Sequence, residues 1–480
     1  MKHVAIIGGG ITGLTVAYLL EQQKQEHPDE LDYQLIEKEE RLGGKVITEN
    51  VDGFIIEGGP DSFISRKPEV MKISEQLGIS ANVMGTNTTH RGSYVLSDNQ
   101  IHQLPDGVAL LMPFKIMDFA RNPIISWRGK FRALGDLFIP ARPNQQDESL
   151  ASFINRRLGN EMLEKLIGPL VGGIHSNNPN SMSLQATFPR FLEMEREHRS
   201  IILAILHMKR AMKKRMKQVN PASTNRKPPF LTFQHGMTEL TSALEKALSP
   251  DSIHTGTAVA RIEKGEQTPY RIFLQNGEEI NADAVVVTAG ANIATKLLNG
   301  IDEELAQLLG KIPFTSSAAI SLGYRKADLP QLPLGYGITI PVREQRNISA
   351  ITFSSLKWDH RVPNDDYMLL RIFIGGYANP ELVQRDNEHI LDIIKMELND
   401  ILGITADPVV QRIYRWVQGR PQYELGHLDC VHQIEARLQD HPGLYVAGSS
   451  FYGAGLSDCI ASAVRGTNTI LKELGIESNN

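Results

Sequence analysis

The chain has 480 residues, 41% apolar and 22% charged, with a formal net charge of -5 at pH 7. That length holds two or three domains around ordinary apolar cores, and the small net charge excludes a protein whose whole surface binds polyanions such as nucleic acid. Two cysteines, Cys430 and Cys459, are too few for a disulfide framework or a cysteine zinc site, and the 14 histidines are scattered without HExxH spacing or a Ser/His/Asp order, so no metal is expected.

Residues 3–8 read as a short buried strand ending at Gly8. A helix is expected from about Gly13 to Lys24, because Leu14, Ala17, Tyr18 and Leu20 recur at helical spacing. Leu31–Glu37 is a second strand, which completes a βαβ unit. Between strand and helix lies Gly8-Gly9-Gly10-Ile11-Thr12-Gly13. In such a loop the first glycine allows a tight turn, the second lets backbone approach a pyrophosphate, and the third lets helix and sheet pack closely. The phosphate then meets the free N–H groups of a helix N-terminus. Glu37 closes the second strand where an acid is expected to bond a ribose hydroxyl, and its charge disfavours a 2′-phosphate. The run after His3 is not read as a leader, since glycines and threonines interrupt it and no small-residue cleavage site follows. No stretch approaches the ~18 apolar residues of a membrane span. A cytoplasmic protein is expected.

Arg41-Leu42-Gly43-Gly44-Lys45 places bare backbone beside a basic residue, which suits either a second anionic contact or a plain surface turn. Glu57-Gly58-Gly59-Pro60-Asp61-Ser62-Phe63 is another glycine turn. From Pro105 to Met216 the chain reads as mostly helical, with a strongly basic run at Lys209–Lys217 and a Pro/Ser/Thr/Asn loop at Val219–Pro229. The basic run reads as a solvated helix face or as a contact for anionic lipid or a partner. Strand-like segments follow at Thr257–Glu263, Arg271–Leu274, Ala284–Thr288, Ala318–Tyr324, Met368–Ile374 and Gly443–Ala447. A glycine turn then leads into a helix from about Ser457 to Leu474, whose N-terminus could hold negative charge. The pattern predicts a dinucleotide domain assembled from the start, a central piece and the end of the chain, with the helical and second sheet regions inserted.

The glycine loop, Glu37, Arg41-x-Gly43-Gly44-Lys45, Gly58-Gly59-Pro60 and Gly453-x-Gly455-x-x-Asp458 together resemble the FAD-dependent amine oxidase / protoporphyrinogen oxidase superfamily. Gly59-Pro60-Asp61-Ser62-Phe63, Ser93-Tyr94-Val95-Leu96, Thr187-Phe188-Pro189, Arg415-Trp416, Pro421-Gln422-Tyr423 and Gly455-Leu456-Ser457-Asp458-Cys459-Ile460 narrow the resemblance to the coproporphyrinogen III oxidases of Gram-positive bacteria. The resemblance implies an α/β fold with α+β insertions. A discontinuous Rossmann-like FAD domain (1–75, 228–292, 412–480) would carry a sheet-based substrate domain (76–103, 293–411) and a mainly helical domain (104–227) of the kind that meets the membrane in relatives.

Carried over by motif, FAD would contact Gly8, Gly9, Gly10, Ile11, Thr12, Gly13, Glu37, Lys38, Lys45, Gly59, Pro60, Asp61, Ser62, Val259, Trp416, Leu456, Ser457 and Asp458. The flavin does the redox step, and no side chain is assigned as catalytic. The implied reaction removes six electrons from coproporphyrinogen III, with O2 as acceptor and H2O2 as product, in haem biosynthesis. Four propionates on the substrate call for cations, and Arg66 and Lys67 follow the Gly-Gly-Pro turn; Ile174 would border the ring. Implied partners extend to other haem-pathway enzymes and peripheral membrane contact, not to nucleic acid. Rival readings are oxidation of protoporphyrinogen IX, an amine oxidase or carotenoid desaturase, and a non-catalytic binding protein of the GDP-dissociation-inhibitor type.

Overall fold

Runs of apolar residues buried on both faces belong in a parallel sheet, and that is where the first strand lies: Val4, Ala5 and Ile6 are fully buried. The computed structural model describes residues 1–90, 92–104, 123–144, 146–175, 177–218 and 228–476, with only the backbone of 173–175, 212–213 and 215–218. A five-stranded parallel sheet runs in the order Ile253–His254, Leu31–Ile36, Lys2–Ile7, Ala284–Val287, Leu444–Val446. It draws on three separated parts of the chain. One face is covered by the helices Ile11–Glu26 and Leu456–Leu474, through Leu14, Ala17 and Leu20 against Ile460, Ala463 and Ile470. Each such fully buried leucine stabilises the fold by about 1.5–3 kcal/mol relative to leaving it exposed. The other face packs Ala5, Ile7, Val285 and Val287 against a small antiparallel sheet (Val259–Lys264, Tyr270–Leu274, Glu279–Ala282) and the helix His427–Leu438.

A second sheet has seven strands in the order Val410–Pro421, Phe314–Arg325, Tyr367–Gly375, Ile348–Phe353, Gly337–Thr339, Tyr94–Ser97, Gln100–Gln103. The strands expected at Ala318–Tyr324 and Met368–Ile374 are antiparallel neighbours in register Ala318↔Ile374. The helix Asn387–Leu402 covers one face with Ile390, Ile394 and Leu398. The Asp386 carboxylate caps its start at 2.8 Å from His389 N, and Gly403 ends it at φ 70°. The sequence-based limits at 292 and 412 fall inside the helix Ala291–Leu298 and the strand Val410–Pro421. The chain leaves the parallel sheet after Val287, enters the seven-stranded one at Phe314, and returns between Pro421 and Leu444. Val83–Gly85, beyond the limit at 75, pairs with Phe230–Phe233.

The middle of the chain is helical where described: Trp127–Leu134, Leu150–Arg157, 160–175, Pro189–His198 and Ile201–Gln218. Its apolar core surrounds Phe153, Ile167 and Met182. Arg157 is fully buried there, held by Asp136 at 3.1 Å and Glu195 at 2.6 Å. Buried charge is tolerated because it is paired. The apolar stretch Val108–Phe114 and most of the Val219–Pro229 loop lie outside the described residues. Among the described residues no helix is long and apolar enough to cross a membrane.

Candidate functional site

The glycine loop sits at the C-terminal edge of the parallel sheet, where open α/β sheets place their ligands. Gly8 has φ 108°, a region that favours glycine. A Cβ on Gly13 would lie 1.9 Å from the Gly8 carbonyl oxygen, so helix and strand could not approach as they do. A Cβ on Gly10 would meet nothing within 4 Å. Gly10 is also the N-cap, and no side chain caps the first turn of the helix Ile11–Glu26. Ile11 and Thr12 are buried beneath this turn. The arrangement is bare backbone, open space and free helical N–H groups, which fits a pyrophosphate.

Glu37 is buried at the end of the second strand. Its carboxylate accepts from Gly9 N at 2.5 Å and Glu39 N at 3.0 Å. Gly43 N donates to the Gly9 carbonyl at 2.8 Å, and Gly10 bridges to Gly43, which brings the Arg41–Lys45 turn onto the glycine loop. The segment before Val259 joins them, with Thr257 N donating to the Glu37 carbonyl at 2.9 Å. Lys38 is apart from these groups: its ammonium is 3.1 Å from Glu39 and mostly exposed.

Lys45 donates to the Gly419 carbonyl. It keeps solvent access, yet crowding by protein lowers its pKa, and Arg420 beside it adds to the shift. Burial also lowers Arg420, to about 10. A Cβ on Gly59 would sit 1.7 Å from the Lys45 carbonyl oxygen, which locks the two turns together. Gly58 accepts from the Trp416 indole at 3.0 Å. Pro60 leads to Asp61, whose carboxylate is bound by Lys357 at 2.7 Å, Trp358 Nε1 at 3.2 Å and Ser62 Oγ at 2.8 Å. Burial alone would push the Asp61 carboxyl up; Lys357 and Arg371 outweigh it and hold it well below the usual range. Arg371 itself donates to the Gly59 carbonyl.

The helix Leu456–Leu474 also starts without a side-chain cap, at Gly455. Leu456 and Ser457 are buried, and Asp458 pairs with Lys67. Burial pushes the Cys459 thiol up to about 11, against a hydrogen bond with Thr12 that pulls it down. Thr12 ties this helix start to the glycine loop. Arg66 is exposed, and the side chain of Ile174 lies outside the described residues.

The fold thus gathers the glycine loop, Glu37, Lys45, the Gly58–Ser62 turn, Trp416 and the Leu456–Asp458 helix start, with Lys67 above the last. Sequence reasoning did not single out Lys357, Arg371 or Arg420. Arg371 left a usable signal, a lone cation inside the apolar strand Tyr367–Gly375, where burial demands a partner. Two open helix N-termini joined through Thr12 and Cys459 fit a dinucleotide whose pyrophosphate takes one and whose anionic redox end takes the other.

The profile of the flavin containing amine oxidoreductase family matches residues 11–471. The chain is similar to the coproporphyrinogen III oxidase of Bacillus subtilis, at 34% identity over 96% of each chain. It is similar to the coproporphyrinogen III oxidase of Staphylococcus aureus, at 32% identity over 98% of this chain and 100% of that one. Among solved structures it is similar to a protein assigned as a protoporphyrinogen oxidase from Exiguobacterium sp. 255-15, with TM-score 0.84 and 31% identity over 99% of both chains.

Proposed function

This chain belongs to the flavin containing amine oxidoreductase family, and from that premise we propose that it is an FAD-dependent porphyrinogen oxidase of haem biosynthesis whose substrate is coproporphyrinogen III. The observation that carries the reading is similarity to coproporphyrinogen III oxidases along nearly the whole chain. Two uncapped helix N-termini meeting beside Lys45 and Lys67 support it. In this reading Gly8–Gly13 hold the pyrophosphate, Glu37 the ribose, and the Gly58–Ser62 turn, Trp416 and the Leu456–Asp458 helix start the flavin end. Lys38 and Val259 would add contacts at the adenine end. When bound, FAD supplies the hydride-accepting chemistry. The chain's own work is to orient the cofactor, keep water from it, and bind substrate carboxylates with Lys67 and Arg66, Ile174 bordering the ring. The 1–75, 228–292 and 412–480 segments would form the cofactor domain, 76–103 and 293–411 the substrate domain, and 104–227 the helical one.

O2 is the proposed acceptor and H2O2 the product. Anaerobic mixing of the holoprotein with coproporphyrinogen III should bleach the flavin, and admitting air should restore its colour and yield peroxide. A flavin that stays oxidised with this substrate but bleaches with the dicarboxylic protoporphyrinogen IX would reassign the substrate.

Peripheral membrane contact is the second part of the reading. Trp127, Phe131 and Leu134 project from one helix at i, i+4, i+7 spacing, and Phe138 follows at 84% exposure. Arg128 lies exposed beside them. The basic helix Ile201–Gln218 starts against the same turn, with Ile202 N 3.0 Å from Asp136. Aromatic residues flanked by cations suit the interface of an anionic bilayer.

A further inference from the structure

The segment after the strand Val410–Pro421 turns back through Tyr423 and His427, two buried rings that the cofactor reading leaves without a role. They stack with centroids 4.2 Å apart and planes inclined by 22°. Tyr423 Oη donates to the Ser449 carbonyl, and His427 Nε2 lies 2.7 Å from the Phe451 carbonyl. A carbonyl oxygen only accepts, so the Nε2 atom carries the hydrogen. Burial lowers the pKa of His427, which favours the neutral ring.

Both carbonyls belong to the loop 447–455, which joins the strand Leu444–Val446 to the helix Leu456–Leu474. Gly448 at φ 118° and Gly453 at φ 154° give this loop a backbone path that helix and strand geometry do not supply. Other anchors hold it from the sheet and two helices: Ala447 N bonds the Val287 carbonyl, Gly448 N donates to Ser462 Oγ, and Ser450 Oγ accepts from Ala291 N. Tyr423 and His427 hold the alternate residues, Ser449 and Phe451. Behind the two rings, the backbone of the same turn is fastened to the helical region. Ser183 N donates to the Tyr423 carbonyl at 2.8 Å, Leu425 N to the Ser181 carbonyl at 2.9 Å, and Gly426 N to Asp147 Oδ2 at 3.1 Å.

We propose that Tyr423 and His427 are positioning residues: they clamp the loop 447–455 from the helical side, and so fix where the open N-terminus of the last helix stands relative to the flavin. The inference rests on the reading of that helix start as a flavin contact. The clamp acts through two carbonyl acceptors. It also makes the cofactor loop and the helical region one mechanical unit.

The test uses the full-length protein, stripped of flavin and titrated with FAD, with visible circular dichroism recorded on the reloaded holoprotein. His427→Phe keeps the stacked ring and removes the donor, leaving a buried carbonyl unpaired. It should weaken FAD binding about tenfold and change the visible dichroism of the bound flavin. His427→Gln, which can bring an N–H near the same place, should recover most of both. Tyr423→Phe should act in the same direction, and the double variant should lose less than the product of the two single effects, because both act on one loop. Parent-like FAD affinity and dichroism in His427→Phe would overturn the clamp while leaving the flavin reading intact; a parent protein that takes up no FAD would overturn both. Should His427→Phe not fold, parent-like values in Tyr423→Phe would overturn the clamp just as well.

Discussion

The indole nitrogen of Trp416 donates to the carbonyl oxygen of Gly58 across 3.0 Å. Two residues earlier on the same strand, the Tyr414 ring lies so close to Gly58 that a Cβ there would stand 2.6 Å away. One strand of the seven-stranded sheet therefore rests on the second glycine turn. Trp416→Phe keeps the ring bulk but leaves the carbonyl without that donor, a loss of about 1 kcal/mol. FAD fluorescence titration should show binding weakened about fivefold, consistent with that energy. An unchanged affinity would detach this contact from the cofactor.

Gly10 and Gly13 separate cofactor binding from folding. A Cβ on Gly13 would collide with the Gly8 backbone, so Gly13→Ala should lower the melting temperature of the flavin-free protein. Gly10 has φ -71° and ψ -178°, which any residue adopts, and a Cβ there meets open space. Gly10→Ala should melt like the parent without flavin yet bind FAD at least about tenfold more weakly, because the methyl group occupies the approach to the helix N-terminus. Equal FAD affinity for both proteins would place the pyrophosphate elsewhere.

What the sequence made legible was local. The glycine spacing encodes a turn and a close approach, and Glu37 ends a strand of readable pattern, so both could be placed from neighbours in the chain. The partners that finish the site come from far away. Lys67 reaches Asp458 across 391 residues and Trp416 reaches Gly58 across 358. Spacing along the chain carries no signal for such pairs. The same holds for Asp61, whose motif suggests a cofactor contact and whose carboxylate is bound by Lys357 and Trp358 at the end of the short helix after the strand Ile348–Phe353.

The aromatic stripe gives a prediction for lipid binding. Replacing Trp127, Phe131 and Phe138 by serine removes side chains that are 67%, 68% and 84% exposed, so folding should be little affected. Co-sedimentation with vesicles containing anionic lipid should fall about tenfold or more. Parent binding that is absent, or that ignores the three changes, would remove the membrane from the reading.

Acid should find a structural weak point at Asp302. Its carboxylate caps the helix Glu303–Gly310 and meets His441 at 2.7 Å and Arg437 at 2.6 Å. Burial alone would raise its pKa, but these partners and the Leu305 N–H hold it at about 2. A carboxyl depressed on folding stabilises the protein above the ordinary aspartate pKa, and that contribution is lost as pH falls through the depressed value. Asp302→Asn keeps the capping oxygen and removes the charge. The parent should be more stable by about 2 kcal/mol at pH 7, a gap roughly halved by pH 3. Urea midpoints that differ equally at both pH values would assign the effect to packing instead.

Lys67 offers the sharpest distinction between substrates. Its ammonium pairs with Asp458 at the start of the last helix, and its side chain remains 45% exposed, so it can meet a second carboxylate. Its backbone carbonyl accepts from Ser457 Oγ at 3.5 Å, which holds the residue over that helix start. If a substrate propionate docks there, Lys67→Met should raise KM for the tetracarboxylic porphyrinogen about tenfold, by loss of one charge-assisted hydrogen bond. The flavin spectrum should not change, and Lys67→Arg should retain most of the affinity. The dicarboxylic porphyrinogen provides the internal comparison: with half the carboxylates it should be less sensitive to the same change. An equal loss for both substrates with an altered flavin spectrum would mean that Lys67 acts through Asp458 on the cofactor, and the propionate contact would then fall to other cations of the site.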